Sequence, residues 1–201
     1  MKRIIAILLL LLPVVLNGQI KPGDPAPGFT LESTKGGMIS LDDFSKEKGI
    51  ILIFTSNACP FTDAYESRMI VLHNRYASQG YPVVAINPNS EKLSPDDSME
   101  KMKERAAARN YPFSYLKDSD GKVSGLYGAR RTPEVFLLTS RKGVFYVAYT
   151  GSIDDNAMDA SLVGQRYVEQ ALMAVYTGKK PENETTRAVG CAIKTEKQAL
   201  Q

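Results

Sequence analysis

Ile50-Ile51-Leu52-Ile53-Phe54-Thr55-Ser56-Asn57-Ala58-Cys59-Pro60-Phe61 decides how the chain is read. Its first five residues are large and apolar without alternation, as in a strand buried on both faces. A short polar turn follows, then a cysteine at the mouth of a helix. Pro60 suits the first helical position, where its missing N–H costs nothing. Unpaired backbone N–H groups and the positive end of the macrodipole crowd that end of a helix. A thiol placed there has its anion stabilised, and the thiolate is the reactive form. Cys59 is therefore the candidate nucleophile. The plain alternative is a small buried hydrophobe, since free cysteines are among the most buried side chains.

Outward from this unit, strands and helices alternate. Phe61, Tyr65, Met69, Leu72 and Tyr76 recur every three or four residues, which predicts a helix from 60 to about 79 closed by Gly80. Residues 82–86 read as a second buried strand. Ser94, Pro95, Asp96 and Asp97 read as the N-cap and first turn of a helix reaching about residue 109. A brief strand is expected at 113–116 and a short helix at 123–127. Residues 134–138 and 144–149 read as paired strands about the Arg141-Lys142-Gly143 turn. A last helix at about 160–177 has Val163, Tyr167, Ala171 and Val175 facing inward. Upstream, Phe29 and Leu31 alternate as in a short strand, and Gly36-Gly37 turns into Met38-Ile39-Ser40-Leu41. This order, without repeat or second domain, predicts an α/β sandwich.

The 201 residues suffice for one domain with a sizeable core. The first segment stands apart from it. Met1-Lys2-Arg3 is basic, residues 4–16 are almost wholly apolar, and Asn17-Gly18 is a small polar exit. Residues 1–18 thus have the layout of a secretory signal peptide cleaved near Gly18, with an uncleaved anchor as the alternative. Losing Lys2 and Arg3 takes the formal charge from +3 to +1. That balance gives no reason to expect nucleic acid, or a membrane after signal cleavage, as a partner. Export implies the periplasm, with the extracellular space as the alternative. Cys59 and Cys191 are too few for a disulfide scaffold. His73 reads as a water-facing neighbour of Glu66, and without a second histidine or a cysteine cluster no metal site is expected. Asp154 and Asp155 read as caps of the last helix.

Together these residues resemble the thioredoxin-like superfamily, and within it the redoxin branch that holds the peroxiredoxin-like antioxidant proteins. Gly23-Asp24-Pro25-Ala26-Pro27-Gly28-Phe29-Thr30-Leu31 is similar to that branch's Gly-x-x-Ala-Pro-x-Phe-x-Leu opening, with Leu41-x-x-Phe44 after it. Cys59 sits at the family's active-site position. Arg131-Thr132-Pro133-Glu134-Val135-Phe136 resembles the loop that carries its cis-proline. Ala188-Val189-Gly190-Cys191-Ala192-Ile193-Lys194 resembles a tail found in a bacterial thioredoxin-like subgroup. The resemblance implies a central mixed β-sheet flanked by helices, with an N-terminal β-hairpin extension. It divides the chain into a redoxin domain at 22–178 and a C-terminal tail at 179–201. Two departures stand out. The Cys-x-x-Cys of a dithiol thioredoxin is Ser56-Asn57-Ala58-Cys59 here. Of the peroxiredoxin pattern Pro-x-x-x-Thr-x-x-Cys, Ser56 keeps the hydroxyl but Leu52 replaces the proline.

The resemblance implies an exported thiol-disulfide oxidoreductase, or a peroxiredoxin-like protein, acting through the Cys59 thiolate. Its partners would be a disulfide-containing protein or a peroxide, together with an external thiol reductant. No cofactor or metal is implied. Ser56 could donate a hydrogen bond to the thiolate. Pro133 would be cis and would expose the Thr132 backbone to an extended substrate. Arg131 could reach the thiolate and lower its pKa, or be a solvated charge like Arg130. Cys191, 132 positions after Cys59, is either its redox partner or an unpaired thiol. Such a disulfide would close a loop worth about 5 kcal/mol in the chain-entropy model. The competing reading is a non-catalytic binding module that uses the groove near Pro133.

Overall fold

A computed structural model describes residues 19–196. The expected export segment at 1–18 lies outside the described residues. The chain runs β1 (Thr30–Ser33), β2 (Met38–Ser40), β3 (Gly49–Phe54), α1 (Pro60–Tyr76), β4 (Val83–Asn87), α2 (Met99–Ala108) and β5 (Ser114–Lys117). It continues with α3 (Lys122–Tyr127), β6 (Arg131–Thr132), β7 (Glu134–Arg141), β8 (Val144–Gly151), α4 (Tyr167–Tyr176) and β9 (Cys191–Ala192). Seven strands form one mixed sheet in the order β2-β1-β5-β4-β3-β7-β8, and β6 pairs with β9 beside it. Strands β3, β4 and β5 are parallel, while β7 runs antiparallel to β3 and β1 antiparallel to β5. The expected central mixed sheet with an N-terminal hairpin is present. Among the described residues no helix is long and apolar enough to cross a membrane.

The unbroken apolar run of β3 has its reason in two cores. Side chains alternate along a strand. Ile51 and Ile53 therefore face Tyr65, Met69 and Leu72 of α1 and Leu172 of α4. Ile50, Leu52 and Phe54 face the opposite layer, with Phe29, Tyr127, Phe136 and Ile193. The chain leaves β3 between two layers, and its next turn emerges at the carboxyl edge of the sheet.

Several boundaries differ from the sequence expectation, each through a side chain that captures backbone. The helix expected from Ser94 is split. Pro95–Asp97 forms a 3-10 turn that points Asp97 inward, and α2 starts afresh at Ser98, whose hydroxyl accepts from Lys101 N. The last helix begins at Tyr167 rather than near 160. Asp155 takes the Gly164 N–H at 3.0 Å and donates its own N–H to Gln165, so Val163 lies outside the helix. Ala171 is buried as expected and Tyr167 and Val175 pack against the core half-buried, while Val168 and Leu172 complete the buried face. Asp154 caps nothing there, being buried in an ion pair with Arg68 at 2.7 Å. His73 is half-buried rather than water-facing. Its Nδ1 accepts the Val83 N–H, and burial pushes its pKa down. Glu66 beside it is buried against Arg105 at 2.8 Å.

Gly49 opens β3 where the backbone of β7 and the ring of Tyr81 leave no room for a Cβ, which would collide with Leu138 O and Tyr81 Cε1. Overpacking a rigid interior costs about 1–3 kcal/mol, and more where backbone must move. Gly49→Ala should therefore lower unfolding stability by at least that much, read as the shift in urea midpoint at unchanged slope.

Candidate functional site

Cys59 is the N-cap of α1, with Pro60 at the first helical position as the sequence implied. Its carbonyl accepts the N–H groups of Thr62 and Asp63. Its side chain is 1% exposed. The neutral thiol donates to the Thr132 carbonyl at 3.0 Å. Burial alone would raise its pKa. The Cys191 thiol, the Thr62 N–H, the Cys191 N–H and the Thr132 hydroxyl together overcome that, and Cys59 ends below an ordinary thiol. The Thr132 hydroxyl is itself buried without a hydrogen-bond partner.

Cys191 lies on β9, whose register pairs it with Thr132 and pairs Ala192 with Arg131. The fold thus returns the tail to the nucleophile across 132 positions of sequence. Both cysteines are free thiols. Burial and the neighbouring Cys59 push Cys191 up to about 11, while Lys194 and the Phe61 N–H act the other way. The amides of the first turn of α1 face both sulfurs, and the pair divides into a readily ionised Cys59 and a Cys191 that keeps its proton. The tail is anchored on either side. Before it, Thr186 N–H donates to Thr150 O and Thr150 N–H to Glu184 O, and after it Ile193 N–H donates to Arg130 O with Ile193 sunk into the core. Gly190 is required where the tail crosses Thr132, because a Cβ there would strike the Thr132 carbonyl.

Three proposed roles change in this arrangement. Ser56 does not face the sulfur. Its hydroxyl proton goes to Asp97 at 3.1 Å, and its oxygen accepts from Asn89 and from Ala58 N–H. The Thr132–Pro133 bond is cis as the resemblance implied, but the Thr132 backbone is not open to a substrate, because β9 already occupies it. Arg131 points away from Cys59. Its guanidinium binds Gly190 O at 3.1 Å and so holds the tail rather than the thiolate.

What the sequence reading missed is the polar floor under the Cys59 turn. The Asp97 carboxylate, fully buried, accepts from Asn57 N–H at 2.6 Å, Asn87 at 2.7 Å, Asn89 at 2.9 Å, Ser94 at 2.7 Å and Ser56 at 3.1 Å. Burial opposes its ionisation, but these donors outweigh it and hold its pKa below the usual carboxylate range. The buried Lys117 ammonium donates to the Asp97 and Asn89 carbonyls. Arg105 adds a bond to Asn57 O at 3.0 Å, so Asn57 is held from both sides. The available signal was a set of polar residues, Asn87 and Asn89, immediately after an apolar strand, at the carboxyl edge where open α/β sheets place their sites.

Asp97→Asn should turn an N–H toward this ring of donors and lower stability at pH 7 by about 3 kcal/mol. The sign with pH follows from linkage. A carboxylate whose folded pKa is depressed stabilises above its unfolded value of about 3.9, and that stability is lost as pH falls through the folded value. The gap between parent and Asp97→Asn should therefore close below about pH 4 in urea unfolding curves.

Residues 22–155 match the AhpC/TSA family. The chain is 29% identical over 138 residues to the thiol-disulfide oxidoreductase ResA of Bacillus subtilis strain 168, covering 69% of this chain and 72% of that one. It is 29% identical over 153 residues to the chloroplastic peroxiredoxin Q of Triticum aestivum, covering 67% and 61%. A crystal structure of a hypothetical protein from Sinorhizobium meliloti 1021 superposes with a TM-score of 0.80 at 31% identity, covering 89% of this chain and 96% of that one. The seven-stranded sheet with its flanking helices is the thioredoxin-like fold. With a family match over most of its length and a thiol at the head of α1, the chain belongs to the AhpC/TSA family of redoxins.

Proposed function

We propose that this chain is an exported thiol-dependent oxidoreductase whose working unit is the pair Cys59 and Cys191, cycling between dithiol and intramolecular disulfide. The observation that carries the reading is that both thiols converge on Thr132, whose carbonyl takes the Cys59 thiol and whose β6 register partner is Cys191. In the disulfide direction, the Cys59 thiolate attacks a sulfur of a disulfide-bonded protein and one substrate thiolate departs. Cys191 then attacks the Cys59 sulfur, the second substrate thiolate leaves, and a Cys59–Cys191 disulfide remains. An external dithiol takes up the oxidising equivalents and restores the pair. The basic, apolar start at 1–18 supports export to the periplasm. The redoxin domain is read as 22–178, with 179–201 as the tail that brings the second thiol.

The near-complete burial of Cys59 favours a second reading, in which the oxidant is a small peroxide. The thiolate would then attack a peroxide oxygen, an alcohol or water would leave, and Cys191 would condense with the sulfenic acid to release water. The binding-module alternative has less support, because the edge beside Pro133 is covered by the chain's own β9.

Cys59 should titrate below the ordinary thiol value of about 8.5. The alkylation rate of the Cys191→Ser variant, followed from pH 5 to 10, should reach half its maximum below that point. A midpoint at or above it, or a thiol inert until unfolding, would remove the enzymatic reading.

One equivalent of hydrogen peroxide or glutathione disulfide should yield a Cys59–Cys191 cross-linked peptide in mass spectra, absent from Cys191→Ser. Insulin reduction and peroxide consumption by the same protein then separate the two chemistries. Cys59→Ser should abolish whichever is present, and a variant that retains it would sink the proposal.

A further inference from the structure

Asn89 is 2% exposed, and every polar atom it has is engaged. Its backbone N–H binds Asn87 Oδ1 at 3.1 Å, and its carbonyl accepts from Lys117. Its side-chain amide faces two ways. Nδ2 donates to Ser56 Oγ at 3.1 Å and to Asp97 Oδ2 at 2.9 Å, both in the floor of the Cys59 turn. Oδ1 accepts the backbone N–H of Lys194 at 2.8 Å, three residues beyond Cys191. The next residue, Ser90, donates its N–H to Lys194 O at 2.8 Å, so the tail is gripped at both backbone polar groups of one residue. One amide thus touches the loop that carries one sulfur and the strand that carries the other.

We propose that Asn89 is the positioning residue of the Cys59–Cys191 exchange, setting the register of the tail sulfur against the loop sulfur by holding Ser56, Asp97 and Lys194 together. The proposal rests on the two-thiol reading above. A disulfide forms only within a narrow window of Cα separation and dihedral angle, and the effective concentration of one thiol at the other depends on how firmly both are held in it. No other side chain fits all three contacts. Aspartate could accept from Lys194 but would set a second carboxylate against Asp97, and alanine would leave acceptors and donors unpaired on both sides. Thr132 on β6 and the preceding Arg130 grip the tail too, and the Thr132 carbonyl takes the Cys59 thiol, but Asn89 is the side chain that ties the tail to the floor beneath the Cys59 turn.

The test is the equilibrium of the full chain with glutathione. In that reaction the pair loses two electrons and two protons as it closes to a disulfide, and one glutathione disulfide becomes two glutathiones. Asn89→Ala should lower the equilibrium constant for closing the pair by about tenfold, the worth of the one hydrogen bond among its three that holds the tail. Lys194→Pro deletes the N–H that Asn89 accepts together with the exposed ammonium, which the alanine variant removes as well, and should lower it similarly. Lys194→Ala keeps that N–H and should stay within about twofold of the parent. Constants within twofold of the parent for both Asn89→Ala and Lys194→Pro would overturn the assignment. So would a Lys194→Ala effect as large as that of proline. Should Asn89→Ala fail to fold, the proline and alanine variants at 194 decide the matter between them. A parent that forms no Cys59–Cys191 disulfide in any glutathione ratio overturns the two-thiol reading, and this proposal with it.

Discussion

One buried carboxylate organises the reactive end of this molecule. Asp97 has no solvent to stabilise its charge, so the protein supplies donors from three separate segments: the turn after β3, the loop after β4, and the 3-10 turn before α2. A buried ion tolerated only when fully hydrogen-bonded forces those segments to converge. The Cys59 turn is therefore held from below by a charge, and not by apolar packing. Lys117 adds a second buried charge whose ammonium caps two carbonyls of the same knot.

Above that floor lie two thiols. Both lie against the positive end of α1, but they differ in what else surrounds them. Cys59 has backbone and hydroxyl donors aimed at its sulfur, and these overcome the cost of burial. Cys191 has burial and an ionising neighbour, which together keep it protonated. One negative charge on the pair is favoured and two are not. In the exchange proposed above, the first sulfur would attack and the second would follow.

The tail gives the site its individual character. The family match ends at residue 155, and Cys191 lies beyond it. The edge next to Pro133 is occupied by β9, with Gly190 allowing the close crossing and Arg131 clasping the carbonyl of Gly190. An edge left open would present unpaired backbone groups. Here the chain closes its own edge, and in doing so brings Cys191 into register with Thr132, whose carbonyl takes the Cys59 thiol.

Much of the fold was legible in the residues because it depends on local periodicity. The unbroken apolar run 50–54, the three-to-four spacing of 61–76 and the turn at 141–143 each specify an element without reference to the rest of the chain. Cys59 was legible for the same reason, since a strand, a turn and a first-turn proline define a helix mouth by themselves. The true starts of α2 and α4 were not, because Asp97 and Asp155 could be placed only once their distant partners were known. Ser56, Arg131 and His73 were read by what they could reach in isolation, and each was claimed by a nearer partner in space. The meeting of Cys59 with Cys191, and the Asp97 knot that supports it, depend on segments tens of residues apart. Such contacts arise from the closing of the sheet and the return of the tail, and the free energy that selects them belongs to the whole packed chain and to no single window of its sequence.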